Sequence, residues 1–190
     1  MPRDLERFAC VTILPPEVAA VIEPLRVKLA TLGDAREALA YPLHVTLRTG
    51  FLVSAEEEQS LFAEFGSSLA GLGPVTLRTR GLIREAYDSP EGQRHIIAYA
   101  IEQSEELLAL HRALLVYRGY MKGAQYDFRP HLTLAFHDLD PVGFAACSRW
   151  IDEQPSIQKA SWEWSCDNVC LLSRNGDRWV ERWRYSLAGA

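Results

Sequence analysis

The sequence predicts an α+β, bilobal protein: two pseudo-symmetric β-α-β-α-β lobes whose antiparallel sheets line a central cleft. Three observations carry this. Short alternating or β-branched runs are interleaved with runs of helical period. The order strand, helix, strand, helix, strand occurs twice, first from Phe8 to Ile83 and again from Ile96 to the C-terminal hairpin. The second strand-like run of each half carries one short signature, "PLHVTL" from Pro42 to Leu47 and "PHLTL" from Pro130 to Leu134. Phe8 stands about as far before His44 as Ile96 stands before His131. The 190 residues suit a single domain, with lobe one over about 1–85 and lobe two over about 95–190. The terminal hairpin is free to cross between them.

The elements follow in order. Phe8 to Leu14 is apolar and β-branched and stops at Pro15-Pro16, so it predicts a buried strand. Glu17 to Leu32 places Val18, Val21, Ile22, Leu25, Leu29 and Leu32 at helical spacing, and Gly33 suits a C-terminal cap. The stretch around His44 alternates as a strand. Ser54 with Glu57 three residues on marks a helix start, and Leu61, Phe62, Phe65 and Leu69 form its apolar stripe. Pro74 to Ile83 predicts a strand, Tyr87 to Arg94 a polar loop and His95 to Ile101 another strand. Ser104 opens a helix through Leu107, Leu108, Leu110, Leu114 and Leu115. After the second signature, Asp140-Pro141 opens a helix to about Ile151. Val169 to Ser173 and Trp179 to Leu187 close the chain as strands, with Asn175-Gly176 as the hairpin signal.

Composition narrows the function classes. Apolar residues make up 48% and charged residues 24% of the chain, as in an ordinary globular protein. A net charge of −5 argues against general nucleic-acid binding but leaves room for a local basic cleft. The N-terminal residues do not form a secretory signal and no apolar run reaches the length of a membrane span, so a cytoplasmic monomer is expected. Of the four cysteines, Cys166 and Cys170 lie in "WSCDNVCLL". On one strand their Cα atoms would stand about 13 Å apart, beyond the ~7 Å that a disulfide spans. Reduced, buried thiols are expected. No carboxylate or third histidine stands at ligand spacing beside either signature, so neither a metal nor a cofactor is expected. No phosphate-cradling Gly-Lys loop or dinucleotide Gly-x-Gly fingerprint is present.

The repeated signature carries the chemistry. On a strand, residues two apart share a face. His44 and Thr46 then share one face and Leu43, Val45 and Leu47 the other; His131 and Thr133 face away from Leu132 and Leu134 in the same way. Alternation extends the first polar face to Arg48 and the second back to Arg129. Two imidazoles on opposing walls of a cleft suit acid–base catalysis, because one acts as base while the other acts as acid. Threonine hydroxyls and arginine forks suit phosphate oxygens. The set predicts phosphodiester cleavage without a metal. Which histidine is the base stays open.

"HVTL" (His44 to Leu47) and "HLTL" (His131 to Leu134) resemble the paired His-x-Thr/Ser signatures of the two-histidine phosphoesterase superfamily, closest to the bacterial RNA 2',3'-cyclic phosphodiesterases, also called RNA 2'-5' ligases. The opening "VTILPPE" and the closing "VCLLSRNGDRWVERWRYSL" extend the resemblance over most of the chain. It implies a bilobal α+β fold, metal-independent hydrolysis of a cyclic or 2'-5' phosphodiester, His44 and His131 as the acid and base, and Thr46 and Thr133 as phosphate-holding hydroxyls. An RNA end or a small nucleotide is the implied substrate. The sequence departs from the family in the stretch after the first signature, "RTGF" here, and in loop lengths. Alternatives are hydrolysis of ADP-ribose cyclic phosphate or 2'-5'-linked oligonucleotides, and a low-turnover RNA- or nucleotide-binding module of the same fold.

A nucleotide needs a stacking surface. Tyr41, Phe51, Tyr126 and Phe136 adjoin the two signatures and are candidates, as is Tyr87. His137 lies just past the second signature, while His95 and His111 read as a strand edge and a helix surface. Arg78, Arg80 and Arg84 form one basic stripe and Arg174, Arg178, Arg182 and Arg184 another, either of which would guide an RNA tail. Trp162 and Trp164 share a strand face and suit the core.

Overall fold

The computed structural model describes residues 5–89, 92–116 and 127–188. Among these, eight strands form one antiparallel sheet: β1 (Leu5–Ile13), β2 (His44–Ser54), β3 (Val75–Ser89), β4 (Gly92–Ile101), β5 (His131–Phe136), β6 (Glu163–Cys166), β7 (Asn168–Asn175) and β8 (Arg178–Ser186). The helices are α1 (Pro16–Gly33), α2 (Glu58–Leu69), α3 (Glu105–Ala113), α4 (Pro141–Asp152) and the one-turn α5 (Pro155–Gln158); a 3₁₀ turn spans Glu37–Ala40. The α+β class with antiparallel sheets follows the sequence.

The strand order is β6-β3-β4-β5-β2-β1-β7-β8. It divides at the β5–β2 seam, where among the described residues a single pair, Val45 with Leu132, joins the halves. One half, β3 to β6, comes from the middle of the chain, and the other combines β1 and β2 with β7 and β8. β7 of the terminal hairpin crosses to pair with β1, as the sequence allows, but β3, expected in lobe one, pairs with β4 and β6. The lobes are therefore not the consecutive segments 1–85 and 95–190.

Apolar periodicity explains the layers. Ile22 and Leu29 of α1, Leu61 and Phe65 of α2, Leu107 and Leu110 of α3, and Cys147 and Ile151 of α4 enter one buried cluster with Val45, Leu47, Leu132 and Leu134 of the sheet. All four long helices thus cover one face. Burying each such side chain stabilises the fold by roughly 1.5–3 kcal/mol. A second, smaller cluster of Ala9, Val11, Cys170, Leu172 and Trp179 lies on the opposite face of β1, β7 and β8. Among the described residues that face carries no long helix, and it is left for the site.

Local readings differ from the structure in several places. Ser54 ends β2 and donates to the Glu57 carboxylate, and α2 begins only at Glu58, with Glu57 as its N-cap. Of the polar stretch expected as a loop, Tyr87 to Ser89 and Gly92 to Arg94 are strand: β3 and β4 run on to the pair Ser89–Gly92, because each polar strand satisfies the other's backbone groups. The stretch from Cys166 to Cys170 is not one strand, since β6 ends at Cys166 and β7 begins at Asn168 in the other half of the sheet. All four cysteines are buried and unpaired. The terminal hairpin turns at Gly176 and Asp177, between the paired Asn175 and Arg178, with Gly176 at a φ of 63°. Gly33 is the last helical residue of α1, and the left-handed position falls on Asp34 at φ 47°.

Gly33 has a different task. It meets Gly143 of α4 backbone to backbone. A Cβ on Gly143 would lie 2.9 Å from the Gly33 Cα and 3.0 Å from its carbonyl carbon, and one on Gly33 would strike Leu139 at 2.5 Å. The Gly143 N–H also donates to the Asp140 carboxylate that caps α4, so the first turn of α4 is fixed at the point of contact. Gly143→Ala is expected to destabilise the protein by about 1–3 kcal/mol through overpacking, read as a melting temperature several degrees below the parent's. An unchanged midpoint would show that α1 and α4 do not depend on this contact.

Candidate active site

Adjacent strands, not opposing walls, bring the two signatures together. β2 and β5 are neighbours in the sheet. The Val45–Leu132 pair sets their register, which puts His44 across from Thr133 and Thr46 across from His131. In a regular antiparallel pair the two histidines are diagonal neighbours, roughly 7–8 Å apart. All four side chains are half-buried. They stand on the face opposite the helices, because His44 pairs with Ile13 and Thr46 with Val11 of the second cluster. On the other flank His131 and Thr133 pair with Ala100 and Ala98 of β4.

Both imidazoles are held the same way. His44 Nδ1 is 2.8 Å from the carbonyl oxygen of Pro42, two residues upstream. His131 Nδ1 is 2.7 Å from the carbonyl oxygen of Arg129, again two residues upstream. A carbonyl only accepts, so Nδ1 carries the hydrogen and Nε2 is the nitrogen left for a substrate. The residues just before the histidines are fixed too: the Leu14 N–H donates to the Leu43 carbonyl and the Ile101 N–H to the Pro130 carbonyl. On the same side of the seam as His44, Asn168 of β7 accepts from the Ile13 N–H at 3.0 Å and donates to its carbonyl at 3.1 Å. This pins the end of β1 beside His44.

The two histidines differ in electrostatics. Burial first, then the Arg26 guanidinium and His131, push the His44 pKa down to about 4, against the opposing bond to Pro42. His44 is therefore neutral at neutral pH, with a lone pair on Nε2. Tyr41, whose ring centroid lies 5.3 Å from that of His44, keeps its phenol proton, since burial and Glu37 push its pKa up to about 12.

A bulge follows each threonine. The β1–β2 pairing slips between Val11–Thr46 and Cys10–Arg48, and the β4–β5 pairing slips between Ala98–Thr133 and Ile97–Ala135. Simple alternation fails there. Arg48 is turned onto the helix side, where it is buried, donates to the Leu114 carbonyl and lies over the Phe51 ring. It does not extend the polar face. Phe51 is a core residue packed against Phe8 and Phe65, not a stacking surface. The second bulge has the reverse effect: it buries Leu134 and Ala135 together and returns Phe136 to the site face, 6.3 Å from Tyr41. Arg129 precedes β5, so strand alternation does not place it; its side chain is exposed and 3.9 Å from the Asp127 carboxylate. Tyr126 lies outside the described residues.

Several contributors had no sequence signal. Arg26 reads as the polar side of α1 yet is 6% exposed, and it anchors the turn before β2. Trp179 stacks on Tyr41 at 4.8 Å. With Ile13, Leu39, Tyr41, Pro42 and Leu172 it lines a cleft of about 500 Å³ beside His44. The remaining histidines are occupied: His95 is buried against Phe144, His111 bonds the Leu47 carbonyl and His137 stacks on Phe136. The arginine stripes are largely neutralised, with Arg78 paired to Glu163 and Glu102, Arg84 to Asp152, and Arg182 to Glu6 and Glu58. Among the described residues no group of three His, Cys, Asp or Glu side chains could hold a metal, and no helix is long and apolar enough to cross a membrane.

Known proteins share this architecture. The crystal structure of E. coli LigT complexed with 3'-AMP superposes with a TM-score of 0.64 and 20% identity, covering 97% of this chain and 99% of that one. TT0787 of Thermus thermophilus gives a TM-score of 0.64 and 21% identity over 96% and 98% of the two chains. A Bacillus licheniformis protein with a provisional phosphoesterase name is 33% identical over 95 residues, which is 50% of this chain and 52% of that protein. The match thus spans about half the length of that curated relative. A sequence model of the 2'-5' RNA ligase superfamily matches residues 14–178, which takes in both His-x-Thr strands, every long helix and both sides of the seam; the chain belongs to that superfamily.

Proposed function

We propose that the protein is a metal-independent phosphodiesterase that opens a 2',3'-cyclic phosphate on an RNA end or a nucleotide. One observation carries this reading: two histidines, each locked by Nδ1 onto a backbone carbonyl, present Nε2 to one face with a threonine hydroxyl across from each. A phosphate seated over the seam meets a base on one side, an acid on the other and two hydroxyl donors between them. Membership of the superfamily, and the crystal structures of E. coli LigT with 3'-AMP, ATP and NADP+, support a nucleotide phosphate as the ligand.

The step follows from the electrostatics. His44, neutral at working pH, accepts a proton at Nε2 from a water as that water attacks phosphorus. The P–O bond to one ribose oxygen breaks. His131 donates the proton on its Nε2 to that oxygen, leaving a phosphomonoester and a free ribose hydroxyl. Thr46 and Thr133 donate hydrogen bonds to the non-bridging oxygens as charge builds on them. His44 then returns its proton to solvent and His131 takes one up. General acid–base groups of this kind contribute roughly 10²–10⁴-fold each.

His44→Ala and His131→Ala should each lower kcat on a 2',3'-cyclic mononucleotide by at least about 10²-fold, with EDTA without effect on the parent. Full activity in either variant defeats the mechanism, and loss on chelation points to a metal. ADP-ribose cyclic phosphate, 2',3'-cyclic-ended RNA and 2'-5' linkages assayed alongside identify the preferred substrate.

The pH profile has a defined sign. A base must be unprotonated, so kcat/KM falls as pH drops through the pKa of His44 in the free enzyme. That midpoint should lie near 4, well below the ordinary imidazole value of about 6.5. An acid limb centred near 6.5 would remove His44 from the role of base.

A further inference from the structure

The two half-sites are matched in one more respect, and it is there that they part. The carbonyl three residues before each histidine is held by a side chain from the preceding helical region. Tyr41 O, three before His44, accepts from Arg26 Nη1 at 2.9 Å; the same nitrogen donates to Ala38 O at 3.0 Å. Phe128 O, three before His131, accepts from the Gln103 side-chain amide. The positions correspond, but one donor is a guanidinium and the other a neutral amide.

Their surroundings widen the difference. Arg26 is 6% exposed. Its partner Glu23, 2.8 Å away, has a side chain 41% exposed, so water screens the carboxylate more than the guanidinium. Gln103 is exposed and sits immediately before the N-cap of α3. The other charged groups around His44 are Glu37 of the 3₁₀ turn, paired with Arg174 of β7, Arg7 of β1, which acts on Tyr41, Arg178 and Glu181 of β8 along the adjoining cleft, and His131 of β5. Around His131 stand His44, Asp127 and Arg129 of its own segment, and His111 of α3, which stacks on Phe128 at 4.0 Å. Two arginines are buried near His44: Arg48 of β2, which is turned to the helix side of the sheet, and Arg26, which bonds the turn just before the histidine; among the described residues no buried arginine bonds Asp127–Pro130.

We propose that Arg26 and Gln103 are paired positioning residues that make a repeated motif directional. Both hold the backbone that carries a histidine's Nδ1 acceptor. The cation under His44 adds to burial in disfavouring a second positive charge there and so favours it as the base, while the matching position behind His131 holds a neutral amide. The lowered His44 pKa, to which Arg26 contributes, agrees with this. The inference rests on the acid–base reading of the site, but its first test needs no substrate.

Titration of the imidazole nitrogens by NMR in the full-length protein separates the possibilities. In Arg26→Gln the His44 midpoint should rise by about half a pH unit or more, and in Arg26→Lys, which keeps the charge, it should stay near the parent's. In Gln103→Arg, an exposed change that tests the idea even where Arg26→Gln fails to fold, the His131 midpoint should fall by a similar amount. The kcat/KM profile should follow, with the acid limb moving up in Arg26→Gln and the basic limb moving down in Gln103→Arg. Midpoints that stay fixed in both Arg26→Gln and Gln103→Arg, or in Gln103→Arg alone where Arg26→Gln does not fold, overturn the proposal, whatever happens to activity, because a structural role alone lowers rates without moving a pKa. Midpoints that move while no phosphodiester is cleaved support the electrostatic pairing and defeat the phosphodiesterase reading instead.

Discussion

The site depends on two backbone carbonyls, those of Pro42 and Arg129. Each accepts from the Nδ1 of the histidine two residues on, and so fixes ring orientation and tautomer in one bond. A short-range bond of this kind is inexpensive to form, since donor and acceptor are already close in the chain. It does require that the intervening residue be extended and the carbonyl stay still. The structure meets both needs. Leu43 and Pro130 are bonded through their carbonyls to the ends of β1 and β4. Arg26 and Gln103 hold the carbonyls one residue further back. A charge-assisted bond from a buried guanidinium is worth roughly 1.5–3 kcal/mol, so the His44 segment is held at least as firmly as the His131 segment.

The seam above which these histidines stand is thin. Among the described residues one pair joins β2 to β5, and the helices connect the halves behind it: α1 touches α4 through Gly33 and Gly143, and Cys147 Sγ of α4 lies 3.4 Å from the Leu29 carbonyl of α1. A fully laddered seam would draw β2 and β5 together along their length. A single pair followed by a bulge in each strand lets the strands diverge past the threonines while the apolar side remains continuous. The helix layer therefore sets the spacing of the two half-sites, although the four long helices all lie on the far side of the sheet.

The parts of this arrangement visible in the sequence are those with a period. Strand alternation puts His44, Thr46, His131 and Thr133 on one face, and the stripes of α1 to α4 give the buried side. The parts that were not visible break a period or bond across distance. Each bulge inserts one residue, so Arg48, which alternation carries toward the phosphate, turns into the core, and Phe136 returns to the site face. Nothing in "HVTLRTGF" or "HLTLAF" marks an extra residue, because the bulge is decided by the partner strand. The polar run from Tyr87 to Arg94 reads as a loop for the same reason: its hydrogen bonds lie in a hairpin partner. Arg26 occupies a helical position next to residues of the stripe, and only the fold shows that the turn before β2 covers it.

Duplication alone does not produce an acid and a base. Two identical half-sites meeting across a seam would titrate as a coupled pair, with the proton shared and no preferred direction of transfer. Their mutual repulsion disfavours two charges at once but does not say which one is neutral. Burial is the largest influence on His44, and its bond to Pro42 is part-buried where the bond of His131 to Arg129 is exposed. What also differs between the halves is the chemistry of the neighbours: a guanidinium and the stacked Tyr41–Trp179 wall beside His44, a neutral amide and exposed Arg129 beside His131. The apolar wall withdraws water from one imidazole and the buried cation opposes its protonation, and both act in the same direction. In the proposed mechanism the repeat supplies the reacting groups, and the residues that do not repeat give them an order.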